Sequence, residues 1–195
     1  MKIGVTTRVI SANGYSEDRD ALAQVWGIFL AKALPDAMWM LLPNLGPEDI
    51  VHYCQGWGID RLILSGGNDI GTAPLRDATE LSLLTWAEQQ KIPVLGICRG
   101  MQLMAHRAGT RIVPVSGHVA VRHTLLGARD DIVNSFHNLG LLDCPNSYEV
   151  LSRAEDGCIE AIRHTSLPWE GWMWHPEREP STNLRDLEML RKIFQ

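Results

Sequence analysis

No stretch of this chain stays apolar for the roughly 18 residues that a membrane-spanning helix requires. No Lys/Arg tract or stripe is present and the formal charge is −5, so the electrostatic footprint of a nucleic-acid or anionic-membrane binder is missing. The four cysteines, Cys54, Cys98, Cys144 and Cys158, form no Cys-x-x-Cys pair and show no zinc-ligand spacing, which argues against a metal ribbon or a disulfide scaffold. Neither a metal nor another cofactor is expected on that ground. The opening Met1-Lys2-Ile3-Gly4-Val5 lacks the apolar stretch of about 7–15 residues that marks a signal peptide. It reads as a first strand, and a cytoplasmic location with free thiols is the expectation. There is no internal repeat, linker or low-complexity segment.

What is present is a chain of 195 residues, 45% hydrophobic and 21% charged, the balance of an ordinary globular protein. That length predicts one domain spanning 1–195. Short apolar runs alternate with amphipathic stretches, which predicts an α/β fold: a doubly wound, largely parallel, flavodoxin-like sheet with helices on both faces. Strands are predicted at Ile3–Thr6, Trp39–Leu42, Arg61–Ser65 and Val94–Gly96. Helices are predicted over Asp18–Leu34, Pro47–Tyr53, Asp77–Gln90, the stretch after Cys98, and Thr182–Phe194. Beyond Arg111 the pattern turns strand-like and irregular, with candidates at Arg111–Val115, Asp131–Asn134, Tyr148–Ser152, Cys158–Arg163 and Gly171–Trp174.

The strongest local feature is Val94-Leu95-Gly96-Ile97-Cys98-Arg99-Gly100-Met101-Gln102. An apolar strand ends, Gly-x-Cys-x-Gly follows, and an amphipathic helix begins at once. This is the pattern of a nucleophile elbow, a sharp strand-to-helix turn that presents one side chain at the sheet's C-terminal edge. Gly96 and Gly100 are needed where closely packed backbone leaves no room for Cβ atoms. The helix N-terminus is expected to favour the Cys98 thiolate and to aim the Arg99 N–H at a developing oxyanion. Ser65-Gly66-Gly67-Asn68-Asp69 also follows a strand, and its adjacent glycines allow close approach to a substrate. The Gly67 N–H is the candidate second oxyanion donor.

A thiol nucleophile needs a histidine to manage its proton. Of seven histidines, His175 stands out in Gly171-Trp172-Met173-Trp174-His175-Pro176-Glu177. A strand delivers it, Pro176 ends the strand, and Glu177 can accept from the far ring nitrogen. Ordinary surface or core roles are read for His52, His106 and His164.

Gly-Ile-Cys-Arg-Gly-Met-Gln, Ser-Gly-Gly-Asn-Asp and Trp-His-Pro-Glu together resemble the class I glutamine amidotransferases. Arg76-Asp77-Ala78-Thr79-Glu80, Arg99 directly after the cysteine, and Asn134-Ser135-Phe136-His137 resemble the γ-glutamyl hydrolase branch, the peptidase C26 type. The likeness covers most of the chain and is weakest over residues 7–60 and 116–130. It implies a catalytic triad of Cys98, His175 and Glu177, with oxyanion donors from Gly67 and Arg99. It implies that Gln102, Ser135 and Phe136 hold the glutamyl α-amino and α-carboxylate groups, the last two largely through backbone. Glu80 would shape the pocket or bind Arg99. The branch commonly carries His-His-Gln where this chain has His137-Asn138-Leu139, so the position beside the glutamyl group is expected to meet a different leaving group. The chain is also short for the branch, and some loop insertions are expected to be missing.

The resemblance implies attack of Cys98 on a γ-glutamyl carbonyl, a thioester intermediate, and release of glutamate. What leaves distinguishes a stand-alone hydrolase of γ-glutamyl amides from a glutaminase that supplies ammonia to a partner synthase. The branch features favour the hydrolase. Polar and basic residues after the first strand, Arg8 among them, fall at the C-terminal edge of the sheet. With Arg122 and His123 they are candidate contacts for a phosphate on the leaving group. The segment is similar to small bacterial enzymes that release cytidine diphosphoramidate from its γ-glutamyl adduct in capsule biosynthesis; γ-glutamyl-aminobutyrate is the main competing substrate. The expected partner is therefore a small γ-glutamyl molecule, with a synthase or a second copy of the chain left open.

Overall fold

A computed structural model describes residues 1–195. In chain order the strands and helices are β1 (Lys2–Thr6), β2 (Arg8–Ser11), β3 (Asp18–Ala21), α1 (Val25–Ala33), β4 (Met38–Leu42), α2 (Ile50–Trp57), β5 (Arg61–Leu64), α3 (Pro74–Gln90), β6 (Val94–Ile97) and α4 (Arg99–Arg107). There follow β7 (Val113–Pro114), β8 (Val119–Thr124), β9 (Leu126–Gly127), β10 (Ile132–Phe136), β11 (Leu139–Gly140), β12 (Tyr148–Arg153), β13 (Ile159–His164), β14 (Trp169–Trp172) and α5 (Leu184–Phe194). No helix is long and apolar enough to cross a membrane.

Eight strands form the main sheet in the order β4-β1-β5-β6-β14-β13-β12-β9. The first five run parallel. Taken alone they have the 2-1-3-4-5 order of a flavodoxin-like sheet. The β13, β12 and β9 strands extend it antiparallel. Alternate residues of the central strands feed two cores. Ile3, Val5, Ile63, Leu95 and Ile97 pack with α1 and α5, whereas Leu62, Leu64 and Val94 pack with α2 and α3. Burial on both faces explains why these strands read as unbroken apolar runs.

The N-terminal half differs from the sequence reading at one place that bears on the site. Asp18–Ala21 is not the first turn of a helix; it is β3, paired antiparallel with β2 across a turn containing Asn13-Gly14. Gly14 has φ +88°, a conformation glycine adopts without penalty. Asn68 holds this flap as a strand neighbour would: its Oδ1 accepts from Val9 N at 2.8 Å and its Nδ2 donates to Val9 O at 3.0 Å. Smaller shifts occur elsewhere. The second helix starts at Ile50 and runs to Trp57, stopping at left-handed Gly58. The third starts at Pro74, three residues before the predicted Asp77. The last parallel strand is Trp169–Trp172, so Met173 and Trp174 lie beyond it. β8 has no counterpart in the sequence reading; it pairs with β10 outside the main sheet.

Candidate active site

The loops after β1, β5, β6 and β14 lie together at the C-terminal ends of the parallel strands, beside the point where strand order reverses. Cys98 sits between β6 and α4 with φ +51° and ψ −103°. Few non-glycine residues hold such a conformation, which costs of order 1–3 kcal/mol and is met most often at functional turns. Its N–H donates to Trp172 O at 2.7 Å and its carbonyl accepts from Gln102 N at 3.0 Å. The flanking glycines are sterically required. A Cβ on Gly96 would lie 2.7 Å from Gly100 C and Met101 N, and one on Gly100 would lie 2.2 Å from Leu64 O.

Cys98 and His175 face each other across Gly66. A Cβ on Gly66 would lie 2.6 Å from His175 Cε1, 3.5 Å from its Nε2 and 3.6 Å from Cys98 Cβ. The other ring nitrogen of His175, Nδ1, lies 2.7 Å from Glu177 Oε1 with both side chains buried. That contact leaves Nε2 on the side of the ring that borders Gly66. Asn134 fixes the histidine backbone from both sides: Oδ1 accepts from His175 N at 3.0 Å, and Nδ2 donates to His175 O at 2.8 Å. Phe136 stands edge-on to the ring, with centroids 6.0 Å apart.

The thiol of Cys98 does not follow the expectation drawn from its helix N-terminus. Burial pushes it up to about 12, and the Arg99 backbone N–H and the Arg178 charge only partly oppose this. Desolvation of a thiolate in this dry turn outweighs the terminal N–H groups. The resting site therefore holds a thiol whose proton must leave as it reacts.

The glycine loop is tied to the elbow by a buried ion network. Arg76 donates from Nη1 to Gly67 O at 2.6 Å and from Nη2 to Ser65 O at 2.8 Å and Gly66 O at 3.2 Å. Its Nε donates to Glu80 Oε1 at 3.0 Å, one helical turn away. The other Glu80 oxygen accepts from Arg99 Nη1, and Arg99 Nη2 donates to Asp77. Thus Glu80 binds Arg99, one of its two expected roles. Three loop carbonyls are thus turned onto Arg76, and the Ser65 N–H donates to Thr6 Oγ1 at 3.0 Å. In the sequence Arg76 stands out only as part of a motif; its spacing of four from Glu80 is the signal that it forms a pair.

The remaining predicted residues divide into two sets. Gln102 is buried and donates to Leu139 O at 2.9 Å. Ser135 is buried with its hydroxyl donated to His118 O at 2.7 Å, and Phe136 is exposed. Arg8 lines a cleft with Trp26, Ser65, Gly66, Glu177 and Arg178, and its Nε is buried without a partner. Three assignments need correction. Arg122 is bound to Glu179 at 2.9 Å rather than held open for an anion. His123 and His137 turn inward, their Nε2 atoms each 3.4 Å from a Glu160 oxygen. A carboxylate from a distant segment pairs with Arg122, whereas the two rings are buried beside Glu160 without a hydrogen bond to it. His118 joins the same cluster, its Nδ1 3.5 Å from Glu160 Oε1. This is the only group in the chain with metal-ligating side chains so gathered.

A flavodoxin-like sheet carrying a cysteine on a strand-to-helix elbow, with a histidine opposite, defines an α/β protein of the amidotransferase type. Residues 41–194 match the family model "Glutamine amidotransferase class-I", and the chain belongs to that family. It is similar to the gamma-glutamyl-CDP-amidate hydrolase of Campylobacter jejuni, at 34% identity over 100% of this chain and 98% of that one. It is also similar to a glutamine-hydrolyzing GMP synthase subunit from Methanothrix thermoacetophila, with 38% identity over 67% of this chain and 70% of that one. A glutamine amidotransferase from Thermotoga maritima shares the fold, with a TM-score of 0.65 and 15% identity over 98% of this chain and 82% of that one. Membership of the family supports an amidohydrolase activity in general terms.

Proposed function

We propose that the chain, acting as one catalytic domain over 1–195, hydrolyses a γ-glutamyl amide through a thioester on Cys98. The observation that carries this reading is the meeting of Cys98 and His175 across the missing side chain of Gly66. His175 Nε2 takes the thiol proton as Sγ adds to the γ-carbonyl, consistent with a resting thiol held near 12. Glu177 on Nδ1 fixes the tautomer and steadies the imidazolium. The N–H groups of Gly67 and Arg99 receive the oxyanion, each worth about 2.7–4 kcal/mol where comparable donors have been removed. The C–N bond breaks as His175 returns its proton to the leaving nitrogen. Water then adds to the thioester with His175 as base, the C–S bond breaks, and glutamate leaves with the thiol restored.

Gln102 and the backbone of Ser135 and Phe136 supply the glutamyl end of the pocket. On the leaving-group side, Arg8 and Arg178 border the cleft against Gly66 and Glu177. Two arginines suit an anionic leaving group better than a neutral amine. With the likeness to the Campylobacter hydrolase, this favours γ-glutamyl-CDP-amidate as substrate and cytidine diphosphoramidate as product. Glutamate release from that compound, from γ-glutamyl-aminobutyrate and from glutamine, each without added protein, tests the reading. Preferential turnover of the nucleotide adduct, with KM raised for it alone in Arg8→Ala, is expected. Equal turnover of all three refutes the anionic leaving group.

The likeness to a component of GMP synthase favours a second reading, in which the chain delivers ammonia from glutamine to a synthase. Glutamine hydrolysis that appears only on adding a synthase selects it.

A further inference from the structure

We propose that His118, His123, His137 and Glu160 form a binding site for a divalent transition-metal ion of the zinc class. The site would fasten the β8–β10 hairpin to β13 of the main sheet. His118 lies in the loop before β8, His123 in β8, His137 just after β10, and Glu160 in β13. Neither β8 nor β10 pairs with a strand of the main sheet; the hairpin's strand contact with that sheet is β9, the two-residue strand in its connection, which pairs with β12.

The argument begins with atoms that lack partners. His118 Nδ1, His123 Nε2, His137 Nε2 and both oxygens of Glu160 are buried without a hydrogen bond. Burying so many unpaired polar atoms at one place is costly. The outer nitrogens explain why the inner ones are poor hydrogen-bond donors. His118 Nε2 lies 2.8 Å from Asp156 Oδ2, and His137 Nδ1 lies 3.0 Å from Leu139 O. Carboxylate and carbonyl oxygens only accept, so the His118 and His137 rings give their protons outward. In the neutral rings the inner nitrogens then direct lone pairs at a carboxylate. Lone pair against carboxylate is repulsive until a cation stands between them. The same outward contacts accompany metal-bound histidines, where they fix the tautomer and strengthen the ligand.

The spacing fits as well. Zinc bonds to nitrogen and oxygen are about 2.0–2.2 Å, which makes the edge of a tetrahedral site roughly 3.3–3.5 Å. The three histidine nitrogens lie 3.5, 3.4 and 3.4 Å from Glu160 oxygens. One ligand atom each from His118, His123 and Glu160 falls within 4.8 Å of the other two. His137 Nε2, 3.4 Å from Oε1, stands beside this group rather than within it, and would turn to supply a fourth ligand. Imidazole and carboxylate donors of this kind suit zinc and its first-row neighbours rather than magnesium or calcium. The site stands apart from Cys98 but touches its support, because Glu160 O accepts from Met173 N at 2.8 Å, two residues before His175.

The test uses the full chain carrying Cys98→Ala, so that the elbow thiol cannot hold the ion. After chelator treatment the protein is titrated with Zn2+ against a chromophoric competitor, and separately loaded with Co2+. The expected result is one ion per chain and visible Co2+ bands without a thiolate charge-transfer band. Asp156→Ala, which alters a half-exposed outer partner, should weaken binding about 10–100-fold. His118→Ala and His123→Ala, each checked for native circular dichroism, should bind at least 100-fold more weakly. No stoichiometric binding in Cys98→Ala would overturn the proposal and leave a proton-sharing histidine cluster. Binding unaltered in the three cluster variants would also overturn it by placing the ion elsewhere.

Discussion

Two helical glycines give opposite expectations that the structure decides. Gly56 lies in α2 with nothing within 4 Å of a built Cβ, and Gly100 lies in α4 with Leu64 O 2.2 Å from one. Helix propensity alone predicts that alanine stabilises both by about 0.8–1 kcal/mol. For Gly56→Ala that gain should appear in full, raising Tm by about 2–4 °C in a chain of this size. For Gly100→Ala the obstacle is the backbone carbonyl of a buried central strand, which cannot rotate aside. Ordinary van der Waals contact begins near 3.4 Å, so α4 must retreat by about an ångström. Overpacking of this kind costs about 1–3 kcal/mol and sometimes more. Set against the propensity gain, a net loss of about 1 kcal/mol and a Tm fall of roughly 2–4 °C are expected. The same retreat moves Cys98 and the Arg99 N–H away from His175, and a displacement of about 1 Å can cost 10²-fold in rate. Differential scanning calorimetry with a glutamate-release assay reads both effects. If Gly100→Ala melts at or above the parent temperature with full activity, the close-packed elbow is wrong.

Other outcomes follow from the same geometry. Glu177→Gln should keep the fold but lower kcat by up to about 10⁴, the loss seen when a buried carboxylate behind a catalytic histidine is neutralised; an unchanged kcat would remove Glu177 from the chemistry. Arg76→Leu leaves Glu80 without one of its two arginines and should cost about 3–5 kcal/mol, measured by urea denaturation. Because the folded Cys98 thiol is raised to about 12, its thiolate fraction below that value grows with pH. Iodoacetamide labelling of Cys98 in the free protein should therefore climb about tenfold per pH unit from 7 to 10; a plateau near neutrality would show a preformed thiolate–imidazolium pair. The exposed Cys144 should be replaced before that measurement.

The parallel half of the fold is legible in the sequence because its strands are buried on both faces. Leu62-Ile63-Leu64 and Val94-Leu95 leave no reading but a core strand. The elbow is legible because its pattern is contiguous: Gly96 reports crowding from its own helix at Gly100, Met101 and Met104, and Gly100, two residues after Cys98, reports the approach of the neighbouring strand at Leu64. The β2–β3 flap escapes a sequence reading because Asp18-Arg19-Asp20 is charged and exposed, so no burial pattern separates it from the helix that follows. The Asn13-Gly14 pair is the available signal. The acidity of Cys98 cannot be read from its neighbours in sequence, since the desolvation comes from the packed surroundings. The histidine cluster is hidden for a related reason. Its members come from a loop, a hairpin and a sheet strand; the pairing of β8 with β10 gathers the histidines, and only tertiary packing of that hairpin on the main sheet brings them to Glu160.

The most direct test of the central claim is mass analysis of the acid-quenched reaction with a γ-glutamyl amide, followed by peptide mapping. The account predicts a γ-glutamyl adduct on the peptide containing Cys98, formed at a rate no slower than turnover. It predicts neither adduct nor turnover in Cys98→Ala. Turnover by Cys98→Ala at the parent rate, or an adduct on another residue, would contradict it.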